Sequence, residues 1–215
     1  MQLPKFTSPI GKLGFPCAIV EPDTKFSSAT DPDDLGDYKA RLILAKDSAE
    51  ASHFRDQLET AWENFCEEVR RETGKKKLKI DPDLIPWSDE LDKDTEEPTG
   101  NIVFRAKLVA RVKKRAGGHF DQKPTVFGAD NVPLREVPNI GPGSKARLAG
   151  EIRCWRNESK MGMTLRFKAV QLIELVESGS NMSAEGYGFA SDPSGYTDTG
   201  AFADSANKNT TGGDF

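Results

Sequence analysis

NIVFRAKLVARVKK, residues 101–114, is the stretch whose reading decides the fold. Ile102, Phe104, Ala106, Leu108, Ala110 and Val112 share one parity, while Arg105, Lys107, Arg111 and Lys113 share the other, interrupted by Val103 and Val109. Side chains alternate across a strand with period two, so this pattern gives one face to a core and leaves the other wet. The charge continues downstream. Residues 101–168 carry fifteen Lys or Arg against five acids, a net of +10 in a chain of 215 residues whose net charge is −4. Concentrated positive charge on a strand face in an acidic protein points to a polyanion, and to the backbone of a nucleic acid in particular.

Working outward, the same alternation recurs. In 37–45, Tyr38, Ala40, Leu42 and Leu44 face one way and Lys39 and Arg41 the other. In 144–155, Ala146, Leu148, Gly150, Ile152 and Cys154 face inward, with Lys145, Arg147, Arg153 and Trp155 outward. Met163, Leu165, Phe167 and Ala169 continue the inner face after a turn at 157–162, with Arg166 and Lys168 outside, and the apolar run 172–176 closes the barrel. Residues 14–20 read as a first strand with Pro16 at an edge or bulge, and 124–127 as a short strand. An indole among outward cations has two readings, a stacking platform for bases or a packing lid over a neighbouring strand, and Trp155 is assigned to stacking, with Tyr38 or Phe127 as the substitutes. Phe6 and Phe15 are read as core residues, with base stacking as their alternative.

Between the strands lies one amphipathic helix. Asp47 and Glu50 have capping-box spacing, Phe54, Leu58, Ala61, Trp62, Phe65 and Val69 recur at helical spacing, and Gly74 supplies the stop. The basic cluster 75–79 reads as a surface loop, and 81–100 as a long acidic loop whose carboxylates lack the calcium-loop pattern. Gly141 to Lys145 lacks the spacing of a phosphate loop and reads as a turn. Cys17, Cys66 and Cys154 form no C-x-x-C pair, so they are read as buried thiols rather than zinc ligands. His53 and His119 neighbour no nucleophile motif. The reading is therefore a non-enzyme without cofactor or metal, with two alternatives kept: an adaptor that binds protein instead of DNA, and a nuclease whose metal-binding carboxylates converge only in space. The chain has no signal-peptide pattern and no apolar run near the ~20 residues that span a bilayer.

From Gly179 the composition turns to Gly, Ser, Asn, Thr, Ala and Asp, and 179–215 nets −4. Such a segment buries too little apolar surface to offset the entropy of ordering, so the expected division is a folded domain 1–178 and a disordered acidic tail 179–215. The tail ends in Asp214 and Phe215, an apolar anchor and a carboxylate at the same point, and this pair is assigned to partner binding.

Several curved strands, one helix, a cationic face and an acidic tail ending in Phe resemble the tailed-phage single-stranded DNA-binding proteins. The stretches that carry the likeness are Leu3-Pro4-Lys5-Phe6 with Gly14-Phe15-Pro16, Gly143-Ser144-Lys145-Ala146-Arg147-Leu148, and Gly162-Met163-Thr164-Leu165-Arg166-Phe167-Lys168-Ala169-Val170. Two departures stand out: only Asp214 adjoins the terminal aromatic, and the helix between the second and third strands is not the commonest order for this fold. The resemblance implies a mainly β, α+β chain with an OB-fold-like curved β-barrel. It implies coating and protection of single-stranded DNA in replication, recombination and repair, in the cytoplasm of an infected bacterium. It also implies a tail that recruits a phage DNA polymerase and a primase or helicase, and that lies in the basic groove when DNA is absent. Homo-oligomerisation stays open. The DNA-contacting residues expected from the shared outward phase are Lys39, Arg41, Arg105, Lys107, Arg111, Lys113, Arg147, Arg153, Trp155, Arg166 and Lys168.

Overall fold

The structure, a computed structural model, describes residues 3–177 apart from 26, 28–30, 32, 75–77, 79, 115 and 158–159. The chain separates into a unit Met1–Ser180 and a unit Asn181–Phe215, and the second lies outside the described residues, as do Asp214 and Phe215 and most of the basic cluster 75–79.

Among the described residues, ten strands and one long helix follow in order. They are β1 (Lys5–Thr7), β2 (Gly11–Asp23), β3 (Asp37–Ala45), α1 (Ala49–Thr73), a 3-10 turn (Pro82–Leu84), β4 (Trp87–Leu91), β5 (Pro98–Val109), β6 (Arg111–Lys113), β7 (His119–Asp121), β8 (Thr125–Phe127), β9 (Lys145–Arg156) and β10 (Met161–Glu174). The pairings β2–β3, β3–β5, β5–β10, β10–β9 and β9–β2 return to their starting strand. The result is a five-stranded, strongly curved barrel of OB-fold type, with β5 and β10 parallel and the other neighbours antiparallel. Two seams are short, Leu165 against Ala106 in one and Gly11–Lys12 against Ala146–Lys145 in the other, so the barrel is partly open.

The inward parity of the long strands builds the core as the alternation predicts. Tyr38, Ala40, Leu42, Ile102, Phe104, Ala106, Leu108, Ala146, Leu148 and Ile152 are all buried. The helix packs on it through Ala51, Phe54, Leu58, Trp62, Cys66 and Val69, with the Phe54 ring 4.8 Å from that of Phe104. Its stop is Gly74 in the left-handed region, as read, but its N-cap is Ser48 rather than Asp47: the Ser48 hydroxyl accepts from the Ala51 amide at 3.1 Å. The three thiols are free; only Cys66 is fully buried, Cys17 and Cys154 being half-buried, and desolvation pushes the latter two up to about 11.

Four further expectations are corrected. The segment 81–100 is not one loop, because Trp87–Leu91 pairs with β5 and Trp87 packs against the core. The strand begun at 98 ends at Val109. There the Ala110 carbonyl accepts from Gln122, and Arg111–Lys113 leaves to form a separate hairpin with His119–Asp121. In β10 a bulge at Lys168 inserts one residue, so Val170 and Leu172, not Ala169, take the inner face beyond Phe167. Phe6 is core at 2% exposure, but Phe15 is 74% exposed, because the β2–β3 register shifts between Gly14 and Ala18 and the strand bends away from its partner.

Candidate nucleic-acid interface

The outward faces of β3, β5, β9 and β10 meet the β6–β7 hairpin and the turn before β4 around a cleft of about 1070 Å³. Its floor is set by register. Lys39 lies directly opposite Lys107, and Arg41 opposite Arg105, on neighbouring antiparallel strands. Like charges facing each other across a strand pair destabilise it unless nearby anions compensate.

Arg105 shows how the site is held. Its Nη1 donates to the Ser88 hydroxyl and its Nη2 to the Ile85 carbonyl, both at 2.8 Å. These acceptors are neutral and come from β4 and the turn before it. Burial, and then the neighbouring Arg41 guanidinium, lower the Arg105 pKa, but an arginine remains charged at any ordinary pH. The Nη1 of Arg41 donates to the Phe15 carbonyl at 2.9 Å, again a neutral partner. Arg153, Arg166 and Trp155 complete the opposite wall. The indole of Trp155 lies over its cross-strand partner Gly162, where a Cβ would come within 2.5 Å of the ring.

Of the residues expected to contact a strand, Lys39, Arg41, Arg105, Lys107, Arg111, Lys113, Arg153, Trp155 and Arg166 line this cleft. Arg147 and Lys168 lie outside it. Arg147 is six residues from Arg153 on the same strand, roughly 20 Å at strand rise, and sits opposite Gln171. The bulge turns Lys168 to Glu151, with which it pairs at 2.6 Å.

Sequence reasoning missed Arg156, which lines the cleft, and the exposed ring of Phe15, whose neighbour Pro16 lines it too. It also missed Asp83, which lines the cleft, and five acids that pair with its cations. Asp23 pairs with Lys39 at 2.8 Å, Asp37 with Lys107 at 3.3 Å, Asp31 with Lys113 at 3.0 Å, and Asp33 and Asp121 with Arg111 at 3.5 and 2.6 Å. The Asp31–Asp34 run was visible in sequence, but nothing local says which surface it meets. Tyr38, a substitute candidate for stacking, is 7% exposed and belongs to the core.

The fold is that of phage single-stranded DNA-binding proteins. Bacteriophage T7 gp2.5, described as a single-stranded DNA-binding protein, superposes with a TM-score of 0.64 at 20% identity, over 92% of this chain and all of that one. A C-terminally truncated single-stranded DNA-binding protein from bacteriophage Enc34 gives 0.54 at 16% identity, over 80% of this chain and 87% of its own. The Enc34 protein in complex with single-stranded DNA gives 0.53 at 14% identity, over 82% and 89%. No protein-family model and no curated protein sequence matches the chain. Among the described residues no helix is long and apolar enough to cross a membrane, and no group of three or more His, Cys, Asp or Glu could hold a metal ion.

Proposed function

We propose that this chain is a sequence-nonspecific single-stranded DNA-binding protein of a tailed phage, acting in replication and recombination in the cytoplasm of the infected bacterium. The observation that carries this is the cleft itself: Arg41, Arg105, Arg153 and Arg166 without a carboxylate partner among the described residues, beside the indole of Trp155. Phosphates take the guanidinium groups and an unpaired base takes the indole, a combination that needs no base-edge contact and so tolerates any sequence. The shared fold with proteins described as binding single-stranded DNA supports the same reading. A duplex keeps its bases stacked on each other and cannot offer one to Trp155.

The test is a fluorescence titration of oligo-dT against a duplex of equal length. The single strand is expected to bind at least about tenfold more tightly, from the stacking that the duplex forgoes. Absence of DNA binding would favour the adaptor, and magnesium-dependent degradation the nuclease.

The tail 179–215 is assigned the recruiting role. Asp214 and Phe215 lie in a segment too polar to provide a core for the ring, so the ring and the neighbouring carboxylate suit an apolar pocket with a basic rim on a phage polymerase, primase or helicase. Deleting Phe215 alone is expected to abolish capture of those proteins from infected-cell extract while leaving oligo-dT affinity unchanged, and undiminished capture refutes the anchor.

A further inference from the structure

Apart from Arg156, which pairs with Glu72 at 3.4 Å, the expected cations of the cleft fall into two classes. Arg41 and Arg105 donate to neutral acceptors, and Arg153 and Arg166 have no carboxylate partner among the described residues. Lys39, Lys107, Arg111 and Lys113 are each held by aspartate. The aspartates come from separate places in the chain: the end of β2, the run 31–33, the first residue of β3 and the last of β7. Their convergence on four cleft cations is a property of the fold rather than of one loop.

We infer that Asp23, Asp31, Asp33, Asp37 and Asp121 form a resident anion that holds four cations of the cleft and is exchanged for phosphate when a strand binds. This rests on the proposed reading of the cleft as the DNA site. Lys39 and Lys107 face each other across β3 and β5, so without a strand the unfavourable pair needs compensation, which Asp23 and Asp37 supply. The pairs are partly exposed, and ion pairs of that kind are weak and screened by salt, so they hold the cations without locking them. The partners also stabilise each other's charge. Hydrogen bonds from Lys39, Lys113 and Arg111 hold the carboxyls of Asp23, Asp31 and Asp121 below the usual range, so the carboxylates stay charged wherever DNA binding is measured. A strand then engages the cleft in two ways. Its phosphates meet the arginines that have no carboxylate partner directly and compete with aspartate for the remaining cations.

Zero-length carbodiimide coupling reads the exchange. The reagent activates a carboxylate, the amine of a touching lysine attacks, and an amide forms as the urea leaves. In the free protein, peptide mapping is expected to find Lys39–Asp23, Lys107–Asp37 and Lys113–Asp31 joined, and saturating oligo-dT is expected to suppress all three. The companion variant is Asp31→Asn with Asp121→Asn. Asn keeps the side-chain oxygen that accepts from the Asp33 amide, so the turn is preserved. Its oligo-dT affinity is expected to rise about three- to tenfold at low salt, with the gain shrinking as salt screens the pairs. Glu63→Gln with Glu67→Gln removes the same charge from exposed helix positions that do not line the cleft, and is expected to change affinity little. Amides that persist at saturation, or equal gains from both double variants, overturn the exchange while leaving DNA binding intact. A wild-type protein that does not bind oligo-dT overturns both readings.

Discussion

Replacing Trp155 by Ala is expected to weaken oligo-dT binding by about five- to a hundredfold, the equivalent of the ~1–3 kcal/mol that a base–aromatic stack contributes. The geometry favours the upper part of that range. The indole is half-buried on the cleft wall with Gly162 beneath it, where a Cβ would stand 2.5 and 2.8 Å from ring atoms and 3.1 Å from the Leu84 Cβ. A ring seated on bare backbone loses little rotamer freedom when a base arrives. Trp155→Phe keeps an aromatic face and should retain most of the affinity, which separates stacking from loss of bulk. Circular dichroism establishes that the variants are folded. A folded Trp155→Ala protein that binds like the wild type means that the indole is a lid.

The second large effect is on stability. Gly150→Ala is expected to destabilise the protein by about 3 kcal/mol or more, lowering the melting temperature by roughly 6–12 °C for a domain of this size. Gly150 faces Phe167 on β10, immediately before the bulge at Lys168. A Cβ there would collide with the Arg166 carbonyl oxygen and stand 2.8 Å from the Phe167 Cα, both backbone atoms. No rotamer change can relieve such contacts, so the β9–β10 pair must separate, and that pair carries the longest register in the barrel. Differential scanning calorimetry checks it, and an unchanged melting temperature would show that the two strands do not approach this closely.

How much was legible in the sequence follows from which forces are local. Alternation in 37–45, 101–109 and 145–155 reported burial directly, because a strand with one wet face must alternate, and the buried set Leu42, Phe104, Leu148 and Ile152 matches it. The helix was equally clear from its apolar stripe and Gly74. What escaped depends on partners remote in sequence. Trp87–Leu91 carries two acids and looks like loop, yet it pairs with β5 and supplies the Ser88 hydroxyl that holds Arg105. The bulge at Lys168 has no signature of its own, yet it decides that Arg166 enters the cleft and Lys168 does not. Phe15 resembled a core residue because hydrophobicity alone cannot say that a strand bends there. The pairing of Asp31 with Lys113 joins residues 82 positions apart, a separation at which charge pattern carries no register.

The phosphates of a single strand are expected to seat on Arg41, Arg105, Arg153 and Arg166, the cleft arginines without an ion pair among the described residues. The most direct measurement is the oligo-dT affinity repeated across salt concentrations. Each phosphate neutralised on a single strand contributes about −0.7 to the slope of log K against log salt, so contacts from Arg41, Arg105, Arg153 and Arg166 predict a slope near −3, and a steeper one as the aspartate-held cations also engage. A slope indistinguishable from zero, or a duplex bound as tightly as the single strand, contradicts the account.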